Sequence, residues 1–307
     1  MRNAFASEIT ALAAQDERLV LLLGDIGNRL FNEFKERFSD RFYNCGVAEA
    51  NMTGMAAGLA LCGMRPITYS ITPFAVTRCL EQIKVDVCCQ NLPVVIVGTG
   101  SGLSYAGLGA THHSMEDIAT LRSMPNLTII CPADIMEVRL ALRAALKHSG
   151  PIYIRLGKKG EPLVHKVEPE FAIGKGIILI EGKDVCILSS GNMLPVAVQT
   201  ADLLKNHNIS SRLISVHTVK PLDEPLLAEA FSNFTLVVTL EEHSLIGGFG
   251  SSVAEWLADQ PPQPSRLLRI GAPDRFLHEG GGQNHARQVF GLTGEDIAAK
   301  VMRVYGT

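Results

Sequence analysis

Charge of one sign is nowhere concentrated in this 307-residue sequence. It has 28 Lys and Arg against 31 Asp and Glu, a net charge of −3, and no Lys/Arg run or aromatic-interleaved basic patch. Nucleic acids and anionic membrane surfaces recruit proteins through such clusters, so neither is an expected partner. Long apolar runs are missing too: Leu19–Leu23, Val94–Val97 and Ile177–Ile180 are strand-length, against the roughly 20 residues that cross a bilayer. Met1 to Glu8 lacks the apolar segment of a secretory signal. The seven cysteines (Cys45, Cys62, Cys79, Cys88, Cys89, Cys131, Cys186) are odd in number and contain no Cys-x-x-Cys pair. They read as reduced, mostly buried thiols of a cytoplasmic protein rather than a disulfide framework. A dinucleotide loop is absent, because Gly98-Thr99-Gly100-Ser101-Gly102-Leu103 has no third glycine at the right offset and opens no helix. A metal site is not expected: His112 and His113 are adjacent, with no third ligand spaced for zinc.

What is present is strand and helix in alternation. Strands near 19–23, 41–45, 66–70, 93–97, 127–131 and 151–155 alternate with helices near 2–16, 28–37, 48–61, 74–90, 115–123 and 134–147. Continuous apolar strands crossed by helices imply a parallel sheet covered on both faces. Asp134 after Pro132-Ala133 is an expected N-cap. The run from Gly157-Lys158-Lys159-Gly160 to Pro169 is charged and aperiodic, and a second set follows: strands near 176–181, 185–189, 211–216, 235–240 and 266–270, with helices between and after them. The expected fold class is α/β with two doubly wound domains, 1–160 and 173–307, joined by a linker at 161–172.

The most informative stretch is Gly46-Val47-Ala48-Glu49-Ala50-Asn51-Met52, which opens a helix of small residues. The field of a helix N-terminus favours the Glu49 carboxylate, yet its neighbours offer it little water. One reading is a helix-start residue that satisfies orphan backbone donors. The other comes from resemblance. This run, with Gly24-Asp25-Ile26-Gly27, Thr111-His112-His113-Ser114-Met115-Glu116-Asp117, Arg122-Ser123-Met124-Pro125-Asn126, Cys131-Pro132-Ala133-Asp134 and Thr218-Val219-Lys220-Pro221-Leu222-Asp223, resembles in order the C-terminal half of the transketolase family of thiamine diphosphate enzymes.

The resemblance implies a pyrimidine-binding domain followed by a transketolase C-terminal domain, and two-carbon ketol transfer from a ketose to an aldose. It implies that Glu49 hydrogen-bonds the aminopyrimidine, that Phe74 stacks on that ring, and that His112 contacts substrate hydroxyls and moves protons, with His113 beside it. Arg78 joins the cofactor set or is structural; Asp25 lines the cleft or caps the helix at 28–37. The chain departs from the family at three places. Gly100 stands where a phosphate-binding histidine is expected, Ala106-Gly107-Leu108-Gly109 replaces an acidic Gly-Glu-Asp-Gly, and Lys158 replaces a phosphate-gripping arginine. Lysine is a point charge without the bidentate fork. The Gly-Asp-Gly…Asn motif that holds Mg²⁺ and the diphosphate has no counterpart here. An N-terminal partner subunit carrying both is therefore implied, in an α₂β₂ assembly acting on a sugar or sugar phosphate. A deoxyxylulose-phosphate-synthase-like enzyme, a 2-oxo acid dehydrogenase β subunit and a non-catalytic scaffold are the alternatives. Glu241-Glu242-His243-Ser244 also resembles the family, with subunit packing as its simplest role.

Overall fold

The computed structural model describes residues 1–27, 29–158 and 160–306. Asn28, where the sequence places a helix start, Lys159 of the linker-side run, and Thr307 lie outside the described residues. In chain order the strands are β1 (Leu19–Leu23), β2 (Phe42–Asn44), β3 (Arg65–Ile71), β4 (Val95–Thr99), β5 (Thr128–Ile130), β6 (Ile152–Leu156), β7 (Ile177–Ile180), β8 (Val185–Ser189), β9 (Ser211–Ser215), β10 (Thr218–Lys220), β11 (Leu236–Ser244) and β12 (Arg266–Ala272). They form two sheets, ordered β10-β5-β6-β4-β3-β1-β2 and β12-β11-β8-β9-β7. The fully buried runs β1, β4, β6 and β8 lie inside their sheets, as continuous apolar strands covered on both faces should.

Both sheets are mixed rather than purely parallel. At one edge of each, β10 runs antiparallel to β5 and β7 antiparallel to β9. An antiparallel edge needs no crossover helix, so the chain leaving β9 crosses after Val216 and His217 straight onto the first sheet. Three residues ending at Pro221 carry too little pattern to announce a strand. One apolar cluster, with Ile129, Cys131 and Tyr153 from the first sheet and Cys186, Leu188 and Ile214 from the second, runs continuously between the two.

Two local details position the site. Asp134 caps the helix Ile135–Lys147, accepting from the N–H groups of Met136 and Glu137 at 2.9 and 3.1 Å. The expected helix 74–90 is instead broken into Thr72–Ala75, a 3-10 turn at Thr77–Cys79, Leu80–Gln82 and a π turn at Ile83–Cys88. Pro73 suits a helix start, but Val76 (φ −114°, ψ −73°) leaves helical geometry, and the Cys79 thiol bonds back to the Ala75 carbonyl at 2.9 Å. The break turns Arg78 toward the first residue of the helix Glu49–Leu61.

Candidate active site

The site gathers beyond the C-terminal ends of β1, β3 and β4, where open α/β sheets place ligands. Glu49 begins its helix and is 1% exposed. Its carboxylate does not turn back to the helix's own N–H groups. It accepts from the Ser70 hydroxyl at the end of β3 (2.8 Å) and from the Arg78 guanidinium (2.6 Å). Ser70 is buried completely, whereas the Arg78 side chain is 40% exposed. The carboxylate is thus held rigidly from inside and loosely from outside.

From Arg78 the contacts run on in a line. Its guanidinium lies 4.1 Å from the centroid of the Phe74 ring. Phe74 meets His112 edge-on at 5.3 Å and 70°, His112 meets Tyr105 at 6.1 Å and 67°, and the Lys158 ammonium sits 4.5 Å over the Tyr105 ring. Burial, and then the neighbouring His113, hold the His112 imidazole below its ordinary pKa. Its Nδ1 is engaged with the Thr111 hydroxyl at 2.9 Å. A neutral imidazole with Nε2 uncommitted among the described residues can accept a proton.

Glu49, Phe74, Arg78, His112 and Lys158 therefore come together. Asp25 and His113 stand apart. Asp25 is exposed, in the left-handed region (φ 57°), and accepts from the Asn44 side chain at 2.9 Å, while the Gly46 N–H donates to Asn44 Oδ1 at 3.0 Å. It links the turn after β1 to the turn before Glu49. The capping alternative for Asp25 does not hold, because the helix there begins at Asn32 with Phe31 at its N-cap. His113 is 6% exposed, with Nε2 placed 3.1 Å from the Ala106 carbonyl. Sequence reasoning missed Ser70 and Tyr105. Ser70 was open to notice as a polar residue ending an interior strand next to β1. Tyr105 had no such signal, because its place depends on Gly100: that residue has φ +75°, and a Cβ there would stand 1.8 Å from a Tyr105 ring carbon.

The donor set suits a flat, nitrogen-containing ring. A flat cation that stacks on Phe74 and donates to Glu49 is already in place as the guanidinium of Arg78, and an aminopyrimidine protonated on its ring nitrogen would present the same face and an N–H donor. Among the described residues, no group of three or more His, Cys, Asp or Glu is placed so that it could hold a metal ion. No helix among them is long and apolar enough to cross a membrane.

Fold and site together define a two-sheet α/β protein with its candidate site at the strand ends. Residues 1–161 match the transketolase pyrimidine-binding domain and residues 174–297 the transketolase C-terminal domain. The chain is 37% identical over 298 residues to a 6-deoxy-6-sulfo-D-fructose transketolase subunit of Clostridium sp., covering 97% of this chain and 92% of that one. It is 39% identical over 307 residues to the 1-deoxy-D-xylulose-5-phosphate synthase of Azoarcus sp., of which it spans only 48%. A solved split-gene transketolase, described as an inactive β4 tetramer, superposes with a TM-score of 0.89 at 34% identity, covering 99% of this chain and 97% of that one. This chain belongs to the transketolase family and matches its pyrimidine-binding and C-terminal domains.

Proposed function

We propose that this chain is the pyrimidine-side subunit of a two-chain transketolase, which moves a two-carbon ketol unit from a ketose donor to an aldose acceptor. Its domains are 1–160 and 173–307, joined at 161–172, and it works in the cytoplasm in carbohydrate metabolism. The observation that carries the proposal is the buried Glu49 carboxylate, fixed by Ser70 on one oxygen and closed on the other by a displaceable flat cation lying on Phe74.

Thiamine diphosphate, when bound, supplies the nucleophilic carbon that takes up the two-carbon unit. Glu49 holds the hydrogen bond at the ring nitrogen, strengthened by the low local dielectric. Phe74 would offer the ring a face, Arg78 would yield its place on Glu49, and Asp25 ties the turn after β1 to the turn before Glu49. His112 holds and returns the proton of a substrate hydroxyl, with His113 supporting its backbone. Lys158 attracts an anionic end of the sugar. The sequence has no counterpart of the family's Gly-Asp-Gly…Asn motif, so an N-terminal subunit would supply the diphosphate and Mg²⁺ ligands across the interface of an α₂β₂ assembly.

The test is reconstitution with that partner, thiamine diphosphate and Mg²⁺. Ketol transfer from hydroxypyruvate by the pair, absent from either chain alone, is expected; tight cofactor binding with turnover by the isolated chain would refute the split site. The likeness to 1-deoxy-D-xylulose-5-phosphate synthase supports a second reading, in which pyruvate is the donor. Activity with pyruvate and none with hydroxypyruvate would establish it.

A further inference from the structure

His112 and Tyr105 sit on a loop that the first domain does not hold by itself. The loop is closed at its base by a two-bond bridge, Gly102 N–H to the Ser114 carbonyl (3.1 Å) and Ser114 N–H to the Gly102 carbonyl (3.0 Å). From the far side this base is gripped chiefly by β11, with Gln283 Nε2 also donating to the Ser104 hydroxyl at 3.4 Å. The Glu242 carboxylate, 1% exposed, accepts the Leu103 N–H at 2.8 Å. The approach is close enough that a Cβ on Gly102 (φ +62°) would lie 2.4 Å from Glu242 Oε1. The Glu242 carbonyl and the Ser114 carbonyl share one donor, Arg155 NH2, at 3.0 Å each. The Ser244 N–H donates to the Met115 carbonyl at 2.8 Å.

Glu242 is in turn oriented from its own domain. Asn192 Nδ2 donates to Oε1 at 3.0 Å, Gln283 Nε2 donates to Oε1 and Oε2 at 2.9 and 3.1 Å, and Arg287 Nε donates to Oε2. A fully satisfied buried carboxylate is a rigid element, and this one has a single ligand in the first domain, the loop amide two residues before Tyr105. The expected role of Glu241-Glu242-His243-Ser244 in subunit packing does not hold: these residues pack within the chain, because β11 runs four residues past its expected end and carries them against the first domain.

We propose that Glu242 is a positioning residue, through which the C-terminal domain sets the loop bearing Tyr105 and His112 and so the placement of the substrate. The inference rests on the function proposed above, and it assigns that domain its part in the reaction. A misplacement of about 1 Å in a substrate-contacting group costs on the order of 100-fold in rate. Glu49, Ser70, Phe74 and Arg78 lie outside the loop, so cofactor affinity stays independent of it.

The experiment uses Glu242→Ala and Glu242→Gln, the latter keeping an acceptor for Leu103. In the isolated chain, amide exchange at Leu103 is expected to speed up about tenfold or more in Glu242→Ala and less in Glu242→Gln, with the β1 amides unchanged. In the two-subunit enzyme kcat/KM is expected to fall about 10- to 100-fold in Glu242→Ala with thiamine diphosphate affinity within about twofold, and Glu242→Gln is expected to recover most of the loss. Unchanged exchange at Leu103, or a fall in cofactor affinity equal to the fall in kcat/KM, overturns the proposal. If Glu242→Ala does not fold, exchange in Glu242→Gln decides alone: acceleration confined to the loop supports the role, none overturns it. If the wild-type pair shows no ketol transfer while Leu103 responds as described, the proposed activity falls and the positioning of the loop stands.

Discussion

Arg78→Met tests the site at its most exchangeable contact. Methionine keeps an unbranched stem to lie on Phe74 and removes only the guanidinium, which donates to Glu49 at 2.6 Å. Two effects follow, of opposite sign. In the free chain a buried carboxylate loses its charged partner. Breaking a fully buried pair costs about 3–5 kcal/mol and a surface pair about 0–1; with Glu49 at 1% exposure and Arg78 at 40%, the loss belongs between them, at about 1–2 kcal/mol. The free chain's thermal midpoint is therefore expected to drop by several degrees. In the assembled enzyme the same bond competes with the cofactor ring for the same oxygen and the same aromatic face, so its removal lowers the cost of binding by a similar amount. An affinity gain of about 5- to 30-fold follows. Titrating thiamine diphosphate into wild-type and Arg78→Met complexes at fixed Mg²⁺, by calorimetry, reads the difference directly. An unchanged or weakened affinity would refute the exchange, and would make Arg78 a contact retained in the bound state.

Three further outcomes are expected. Glu49→Gln keeps the shape of the side chain and an acceptor for Ser70, so the fold should persist while turnover of the reconstituted enzyme drops about 100- to 1,000-fold; wild-type turnover would exclude a catalytic Glu49. Because His112 is held below its ordinary value of 6.5 by burial and then by His113, its acid limb in kcat/KM should lie below pH 6.5 and disappear in His112→Ala. His243 is pushed down to about 4, by burial first, with Arg155 adding to it and Asp117 opposing. In its neutral form Nδ1–H donates to the Ser244 carbonyl at 2.8 Å and Nε2 accepts from the Ala119 N–H at 3.3 Å, so both nitrogens are used and a proton has no place. An imidazole depressed in the fold contributes stability that is whole above pH 6.5 and is lost as pH falls toward 4, up to about 3 kcal/mol. Denaturant titrations of wild type and His243→Gln across that window should show the slope only in wild type.

Strand and helix alternation made most of the fold legible, since apolar runs such as Leu19–Leu23 and Val185–Ser189 allow few positions other than interior strands. What escaped was decided by partners far along the chain. β10 is a strand only because β5 offers it an edge, and the helix expected at 74–90 breaks where Arg78 turns to a carboxylate 29 residues away. At the site, Glu49 stood out because a charged residue among Val47, Ala48 and Met52 has only a helix-start role to explain it locally, and the resemblance supplied the other reading. The same reasoning applies to Glu241-Glu242, two carboxylates directly after the mostly apolar Leu236–Leu240 in one buried strand. The reverse case is His113, adjacent to His112 and of identical chemistry, which only the turn geometry sends to the Ala106 carbonyl.

The helix Glu49–Leu61 joins the two halves of this picture. Its inward face carries Met52, Ala56 and Ala60 into the core; its outward face leaves Met55 38% and Leu61 62% exposed, with Val47 at 73% just before its start. Exposed apolar side chains scattered singly need no explanation, but three of them on or just before the helix that opens the site are another matter. A chain that buries the Glu49 carboxylate almost completely has no reason of its own to leave those side chains to water. Both features make sense together if the site continues onto a second polypeptide, which would cover those side chains and carry the diphosphate- and Mg²⁺-binding motif that has no counterpart in this sequence. On that reading the division of labour is physical rather than incidental: this chain fixes the ring and the substrate's reacting end through rigid, buried contacts, and the charged end of the cofactor, which needs metal and solvent-exchangeable ligands, is held on the other side of the seam.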